Sequence, residues 1–272
     1  MGLRKTIFGR KNCNFKGLGY DDSLEDILKR GCELKYVLPN ESQRLILNQL
    51  IVDLKLNGLW DKQDYILNFA YNDTTLSNFS LINLKKPKSS IATIKGGMVF
   101  TMNGWKGNGL NGSIETPFNP TTMGINYTLN NGGRGGIVYV DGIMTPSYRL
   151  LDYNASGASR ITNLHATQHR INSWGTSLPT AINLAGIGYK GIFRNSPSNV
   201  ELYNKSVKST VVSNSITLDN NTFRLISQGT VNWGDIGMSF YHIGSYLTQI
   251  EVETLRDIYN NYLTSMNLAA IS

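Results

Sequence analysis

The chain has 272 residues, 40% of them hydrophobic and 17% charged, with a formal net charge of +7, a balance that suits a packed globular core and not a disordered tail. No apolar run approaches the roughly 18 residues of a membrane helix, and the opening residues 1–17 have no apolar leader, which predicts a protein made in the cytoplasm without membrane insertion or signal-driven export. Cys13 and Cys32, the 2 cysteines, are too few for a disulfide scaffold and wrongly spaced for a zinc ribbon, which predicts two reduced thiols.

The first twenty residues contain Arg4, Lys5, Arg10, Lys11 and Lys16 and no acid, so the rest of the chain carries only about +2. Residues 1–38 read as a basic attachment arm. Such an arm suits an acidic protein surface, nucleic acid or an anionic membrane, and equally a solvated terminus. Leu3, Ile7, Phe8 and Phe15 lie among the cations, which favours an arm that orders on a protein partner and makes nucleic acid the weaker alternative. Gly2 to Thr6 fits the short myristoylation pattern, which many unrelated chains also match.

Residues 39–88 read as a helical module and linker. Asn40 and Gln43 form a capping box, Leu45, Ile46, Leu50, Val52 and Leu54 give the helix an apolar face, and Gly58 supplies its stop. A second short helix is expected from Trp60 to Tyr71. The polar, proline-bearing Leu84 to Ser90 marks a junction.

Residues 89–272 read as a β-sandwich closed by a helix. Gly, Asn, Ser and Thr number 27, 30, 23 and 21, a composition of many turns. Between them stand short β-branched and aromatic runs, Gly136 to Val140, Asn199 to Tyr203, Thr210 to Ser213 and Ser215 to Leu218. Asp141-Gly142 is a hairpin signal and Asp219-Asn220-Asn221 a longer turn. With no helical pattern between the strands, an antiparallel jelly roll is predicted from about Ser90 to Tyr246. Thr248 and Glu251 then form a capping box, and Ile250, Leu255, Ile258, Tyr259, Tyr262, Leu263 and Met266 give the last helix an apolar stripe that must be buried.

Chemistry-bearing patterns are sparse. Glycoside hydrolysis needs two carboxylates about 5 to 9.5 Å apart, whereas Glu115, Asp141, Asp152, Glu201, Asp219 and Asp235 are scattered through the sandwich sequence, so a non-enzyme is expected. His165 and His169 have helical metal-site spacing but sit in a Ser/Thr/Asn-rich stretch read as a surface loop, and His242 reads as a half-buried strand residue. Gly132-Gly-Arg-Gly-Gly136 lacks the P-loop Lys and the dinucleotide spacing, and reads as a flexible loop or hairpin. Trp105, Trp174 and Trp233 each adjoin a glycine (Gly104, Gly175, Gly234), where a loop could present a flat ring to a sugar. Each also suits a core position.

Three segments carry a resemblance: Asn57-Gly-Leu-Trp-Asp-Lys-Gln-Asp-Tyr65 with Phe69-Ala70, then Ile82-Asn-Leu-Lys-Lys-Pro87, then Trp105-Lys-Gly-Asn-Gly109 leading to Ile114-Glu-Thr-Pro117. With the closing Ser239 to Thr248 and its helix, they resemble virion proteins of tailed bacteriophages, notably crAss-like phages and relatives, over residues 40–268. What the resemblance implies is a concanavalin A-like (laminin G-like) jelly roll in a virion structural protein, a surface-exposed head fibre or capsid decoration with a lectin-like domain that adheres to glycans. A tail-associated fibre or adhesin and a polysaccharide-degrading hydrolase are the alternatives. It implies capsid or other virion proteins as partners of the arm, and a homo-oligomer, a trimer by analogy with fibres. Ca²⁺ enters by family analogy alone, because no matching acidic motif stands here to carry ligand positions; no cofactor or metal site is read from the residues.

Overall fold

The computed structural model describes residues 13–142, 150–154, 159–162, 169–173, 178, 184–228 and 231–271. It is mainly β: two antiparallel sheets form a jelly-roll-like sandwich, and helices cover the outer face of the larger sheet.

Two helices come first, α1 (Asp22–Glu33) and α2 (Glu41–Leu56). Asn40 caps α2 as predicted, its side chain accepting from the Gln43 amide while Gln43 accepts from the Asn40 amide. Gly58 adopts a positive φ of 67° after the last turn, the conformation that glycine reaches without a Cβ penalty. The segment read as a basic arm contains α1, whose Leu24, Ile27 and Leu28 are fully buried in the helical core.

Residues 60–71 are not a helix. Gln63–Asn68 form β1, antiparallel to β15 (Gly237–Gly244), and all six residues are buried. A strand covered on both faces shows no polar alternation, so its apolar run mimics an inward helix face. The sheet thereby reaches into the segment read as the helical module.

The larger sheet runs β11-β10-β9-β6-β15-β4-β3, with β1 also on β15. Its members are β3 (Val99–Thr101), β4 (Gly104–Lys106), β6 (Gly132–Val140), β9 (Gly188–Arg194), β10 (Asn199–Asn204) and β11 (Val207–Val212). The smaller runs β2-β5-β12-β7-β8, made of β2 (Thr93–Lys95), β5 (Ser113–Glu115), β7 (Leu150–Asn154), β8 (Arg160–Thr162) and β12 (Phe223–Leu225). A short helix, α3 (Pro120–Met123), follows β5, and β13 (Ser227–Gln228) pairs with β14 (Val231–Trp233). Residues 215–218 are not a strand; the Ile216 amide donates to the Asn172 carbonyl instead. Asp141-Gly142 ends β6, and the turn expected there runs into 143–149, outside the described residues.

The run Gly132 to Gly136 is likewise not a loop but the start of β6, in the middle of the larger sheet. The neighbours explain its composition. A Cβ on Gly133 would lie 2.0 Å from the Phe193 ring, and one on Gly135 would lie 2.6 Å from the Tyr189 hydroxyl. The glycines leave room for two aromatic side chains of β9 to lie across β6 under the helices, a packing need that outweighs their poor strand propensity.

The C-terminal helix, α4 (Gln249–Ser265), begins at the expected Thr248–Glu251 capping box. Leu255, Ile258, Tyr262 and Leu263 are buried against the helices and sheet as expected, whereas Ile250 in the first turn is 75% exposed. Two tyrosines fix the docking: the single Tyr259 hydroxyl proton is shared between the Ser239 carbonyl at 2.7 Å and Asn68 Oδ1 at 2.9 Å, and Tyr262 donates to the Ala70 carbonyl while accepting from Asn68 Nδ2. No described helix is long and apolar enough to cross a membrane.

Cys13 and Cys32 form a disulfide and are not reduced thiols. Folding brings their Cα atoms to 5.7 Å, inside the range a disulfide spans, and the bond ties the chain entering from the N-terminus to the last turn of α1. Alkylation of the native protein should label neither cysteine and, after reduction, both. Labelling before reduction would show free thiols.

Candidate functional site

Three regions hold the residues singled out above: the loop rim around Trp233, the sandwich interior around Arg134, and the surface beside the disulfide.

At the rim, the three tryptophans part company. Trp105 is buried, 7% exposed, with Nε1 donating to Ser80 Oγ at 3.0 Å and its ring 4.9 Å from that of Phe100. It is a core residue with no open face for a sugar, which removes it from the candidates. Trp174 lies outside the described residues. Trp233 is half-buried at the end of β14. The loop after Trp105 lies directly against the chain that follows Trp233: the Gly107 amide donates to Ile236 O and the Gly109 amide to Gly234 O. A Cβ on Gly107 would fall 2.1 Å from Gly234 O, so here the glycine is required by a close backbone approach. Asn108 holds the loop's tip, its Oδ1 accepting from the Leu110, Asn111 and Gly112 amides. The rim thus places one partly exposed indole beside a loop made rigid by its own asparagine.

The interior is polar where the sequence suggests nothing. Arg134 and Asp152, both fully buried, pair at 2.7 Å through Nε and Oδ2. Tyr241 donates to the same oxygen at 2.7 Å, the Ile161 amide donates to Oδ1, and Arg134 Nη2 donates to the Arg170 carbonyl. The guanidinium also lies 5.3 Å over the Phe223 ring. Burial disfavours the arginine's charge and is the largest single influence, but Asp152, Tyr127, Tyr241 and Asp219 together outweigh it and leave the guanidinium held more firmly charged than usual. Beside this pair, the Tyr127 hydroxyl reaches Asn172 Oδ1 at 3.2 Å and Asp219 Oδ2 at 3.4 Å. Burial pushes the Asp219 carboxyl up to about 6, against the pull of Arg134. Asp219, at the start of the segment read as a longer turn, is fully buried. The signal that could have located the centre is the single charge inside a glycine-rich strand, since alternation puts Arg134 on the face opposite Gly133 and Gly135.

Of the other acids, Glu115 pairs with Arg224 at 2.7 Å and Glu201 accepts from the hydroxyls of Tyr203 and Tyr246. Asp141 accepts from the Gly186 amide, and Asp235, 8% exposed, packs against Gly142. Asp64, not singled out by sequence, accepts from the Ile125, Asn126 and Tyr127 amides and so anchors the loop before β6. Asp152 and Asp219 are the two acids that folding brings into one charged centre, and neither is exposed.

His169, expected on a surface loop, is fully buried, and His165 lies outside the described residues. His242 is 1% exposed on β15 instead of half-buried. Its Nε2 takes the Tyr189 hydroxyl at 2.8 Å, and Nδ1 donates to Gln63 Oε1 at 2.9 Å. Burial lowers its pKa to about 3. No group of three or more His, Cys, Asp or Glu able to hold a metal ion occurs among the described residues.

Arg4, Lys5, Arg10 and Lys11 lie outside the described residues. Lys16 is exposed beside a surface cavity of about 640 Å³ lined by Cys13, Phe15, Lys29 and Lys88 together with Asp22, Glu25 and Asp26. Its charges are mixed, so it is not a single-sign docking patch.

These observations define an antiparallel β-sandwich module with a buried charged centre and one partly exposed indole at its rim. No family model matches the chain, and no curated protein matches it. Among solved structures it is similar to a Trypanosoma rangeli sialidase in complex with 2-keto-3-deoxy-D-glycero-D-galacto-2,3-difluoro-nononic acid, at 12% identity and TM-score 0.52, over 83% of this chain and 40% of that one. It also matches domain 4 of a GH43 extracellular arabinanase from Geobacillus stearothermophilus in complex with arabinotriose, at 14% identity and TM-score 0.45, over 71% of this chain and 98% of that one. A third match is the binding domain of botulinum neurotoxin DC, at 11% identity and TM-score 0.47, over 73% and 52% of the two chains. The chain spans 32 to 40% of the length of the sialidase chains it matches. At these identities the likeness is one of fold.

Proposed function

We propose that this protein is a structural protein of a bacteriophage particle, a head fibre or capsid decoration, whose sandwich works as a lectin-like glycan-binding module. The observation that carries the binding half of this reading is the state of the acids. In the described sandwich, carboxylates are spent on internal structure, Asp152 on Arg134 and Tyr241, Glu201 on two tyrosines, Glu115 on Arg224. Meanwhile Trp233 stays partly exposed on a rigid rim, where a sugar ring can stack. The particle half rests on the resemblance over residues 40–268, whose implied sandwich and closing helix agree with the fold. Attachment to capsid or neck proteins then falls to the basic residues before α1.

Trp233→Ala should weaken binding at least tenfold, about 1.4 kcal/mol, for any glycan retained on an array that includes sialosides and arabino-oligosaccharides, with an unchanged far-UV spectrum. No hit on the array, or a hit that the substitution leaves untouched, refutes the rim as the site. The rival reading is a glycoside hydrolase, for which the candidate acids are Asp152, paired with Arg134, and Asp219, bonded to Tyr127 beside that pair; release of reducing sugar from bacterial surface polysaccharide would establish it.

A further inference from the structure

The larger sheet has one long open edge. Its other ends are β1, six residues that are all buried, and β3; β3 and both ends of the smaller sheet, β2 and β8, are strands of 3 residues, whereas β11 has 6 and lies at the surface. Among the described residues no strand pairs with the outer side of β11. Its pairing with β10 is unbroken from Asn199↔Val212 to Asn204↔Val207, with no bulge, and it contains no proline. Val207 and Val212 are 62% and 75% exposed. Native edges of this length are ordinarily blunted by a bulge, a proline or charged side chains, lysine above all; β11 carries one, Lys208, whose Nζ is drawn back to Glu201 Oε1 on β10 at 3.5 Å, which leaves the outer backbone as a template for another strand.

The ladder fixes which groups face outward. The Ser213 amide donates to Ser198 O, which places residues 207, 209, 211 and 213 in the bonded pairs with β10 and turns the backbone N–H and C=O of Lys208, Thr210 and Val212 away from the sheet. We propose that the occupant of this edge is β11 of a second copy of this chain, antiparallel about a two-fold axis at Thr210. In that register Thr210 faces Thr210 of the second copy, Lys208 faces Val212 in both directions, and Ser209 faces Val211. No cation opposes a cation, and Thr–Thr is a favourable cross-strand pair. An isologous contact of this kind closes on itself and joins the two larger sheets into one. The two-fold pair takes the place of the trimer implied by resemblance to fibres, and it stands independently of glycan binding.

The test uses the full chain in three forms. Wild type should show a concentration-dependent monomer–dimer equilibrium by light scattering between micromolar and millimolar protein, and Thr210→Lys, which sets two cations against each other on the axis, should raise the dissociation constant at least tenfold. Thr210→Cys should form a covalent dimer with glutathione disulfide, each dimer releasing two molecules of glutathione, because bonded antiparallel partners sit about 5.5 Å apart at Cα, within disulfide range. Lys95→Cys, at an exposed position on β2, serves as the control and should cross-link far more slowly. A wild type that is monomeric throughout, an oligomer indifferent to Thr210→Lys, or equal cross-linking at positions 95 and 210 overturns the proposal. Recovery of a trimer or a mixed complex with another protein's strand on this edge overturns it as well.

Discussion

Asp152→Ala should cost about 3–5 kcal/mol of folding stability, measured by urea unfolding at pH 7. The carboxylate it removes is, among the described residues, the only anion paired with the fully buried Arg134 guanidinium, and it also accepts from Tyr241 and the Ile161 amide. Without it a permanent cation stays in the interior with one carbonyl and the face of Phe223 as partners. For a chain of this size each kcal/mol corresponds to about 2–4 °C in Tm, so the loss is visible in a thermal melt. The pair's own worth is a separate matter, because desolvating two charges offsets most of their attraction. The double variant Arg134→Met, Asp152→Leu should therefore recover to within about 2 kcal/mol of wild type. A loss under about 1 kcal/mol for Asp152→Ala would mean that water reaches Arg134.

The second expectation concerns acid, where two buried groups act with opposite signs. His242 is neutral in the folded protein, its pKa lowered by burial to about 3, while the unfolded chain takes up the proton near 6.5. Its contribution is complete above pH 6.5 and is lost as pH falls towards 3, about 2 kcal/mol by pH 5 and about 5 kcal/mol in full. Asp219 runs the other way. Its folded pKa of about 6 lies above the ordinary 3.8, so the native state binds the extra proton and gains about 1 kcal/mol between pH 6.5 and 5. The wild-type profile should then be shallow in this interval. Asp219→Asn should steepen the loss of stability on acidification, and His242→Gln should reverse its sign, with stability rising as pH falls to 5. Parallel profiles for all three proteins would show that neither group titrates in the interior.

Local signals were legible and held. The capping boxes at Asn40/Gln43 and Thr248/Glu251 close within one helical turn, and the stripe from Leu255 to Leu263 follows from helical periodicity. Both depend on residues a few positions apart, so a linear reading contains them. The β-rich centre and the closing helix were legible for the same reason, through composition and turn residues.

Of the candidate site, the glycine beside each tryptophan marked a tight backbone, but only packing separated Trp105, bonded to Ser80 in the core, from Trp233 at the rim. Gln63 to Asn68 looks helical until β15 is beside it, and Gly132 to Gly136 looks like a loop until Tyr189 and Phe193 need the space. Cys13 and Cys32 become a bond because α1 presents the second thiol to the incoming chain. Arg134, Asp152 and Asp219 are single charges in turn-rich text until three strands and a loop enclose them. By itself the sequence determined where α2 and α4 begin and that the middle of the chain is built of short strands, since those are decided by neighbours along the backbone. Which strand is central, which indole is exposed and which charges are buried were decided by the tertiary structure alone, because each depends on side chains supplied across the sheet from far along the chain.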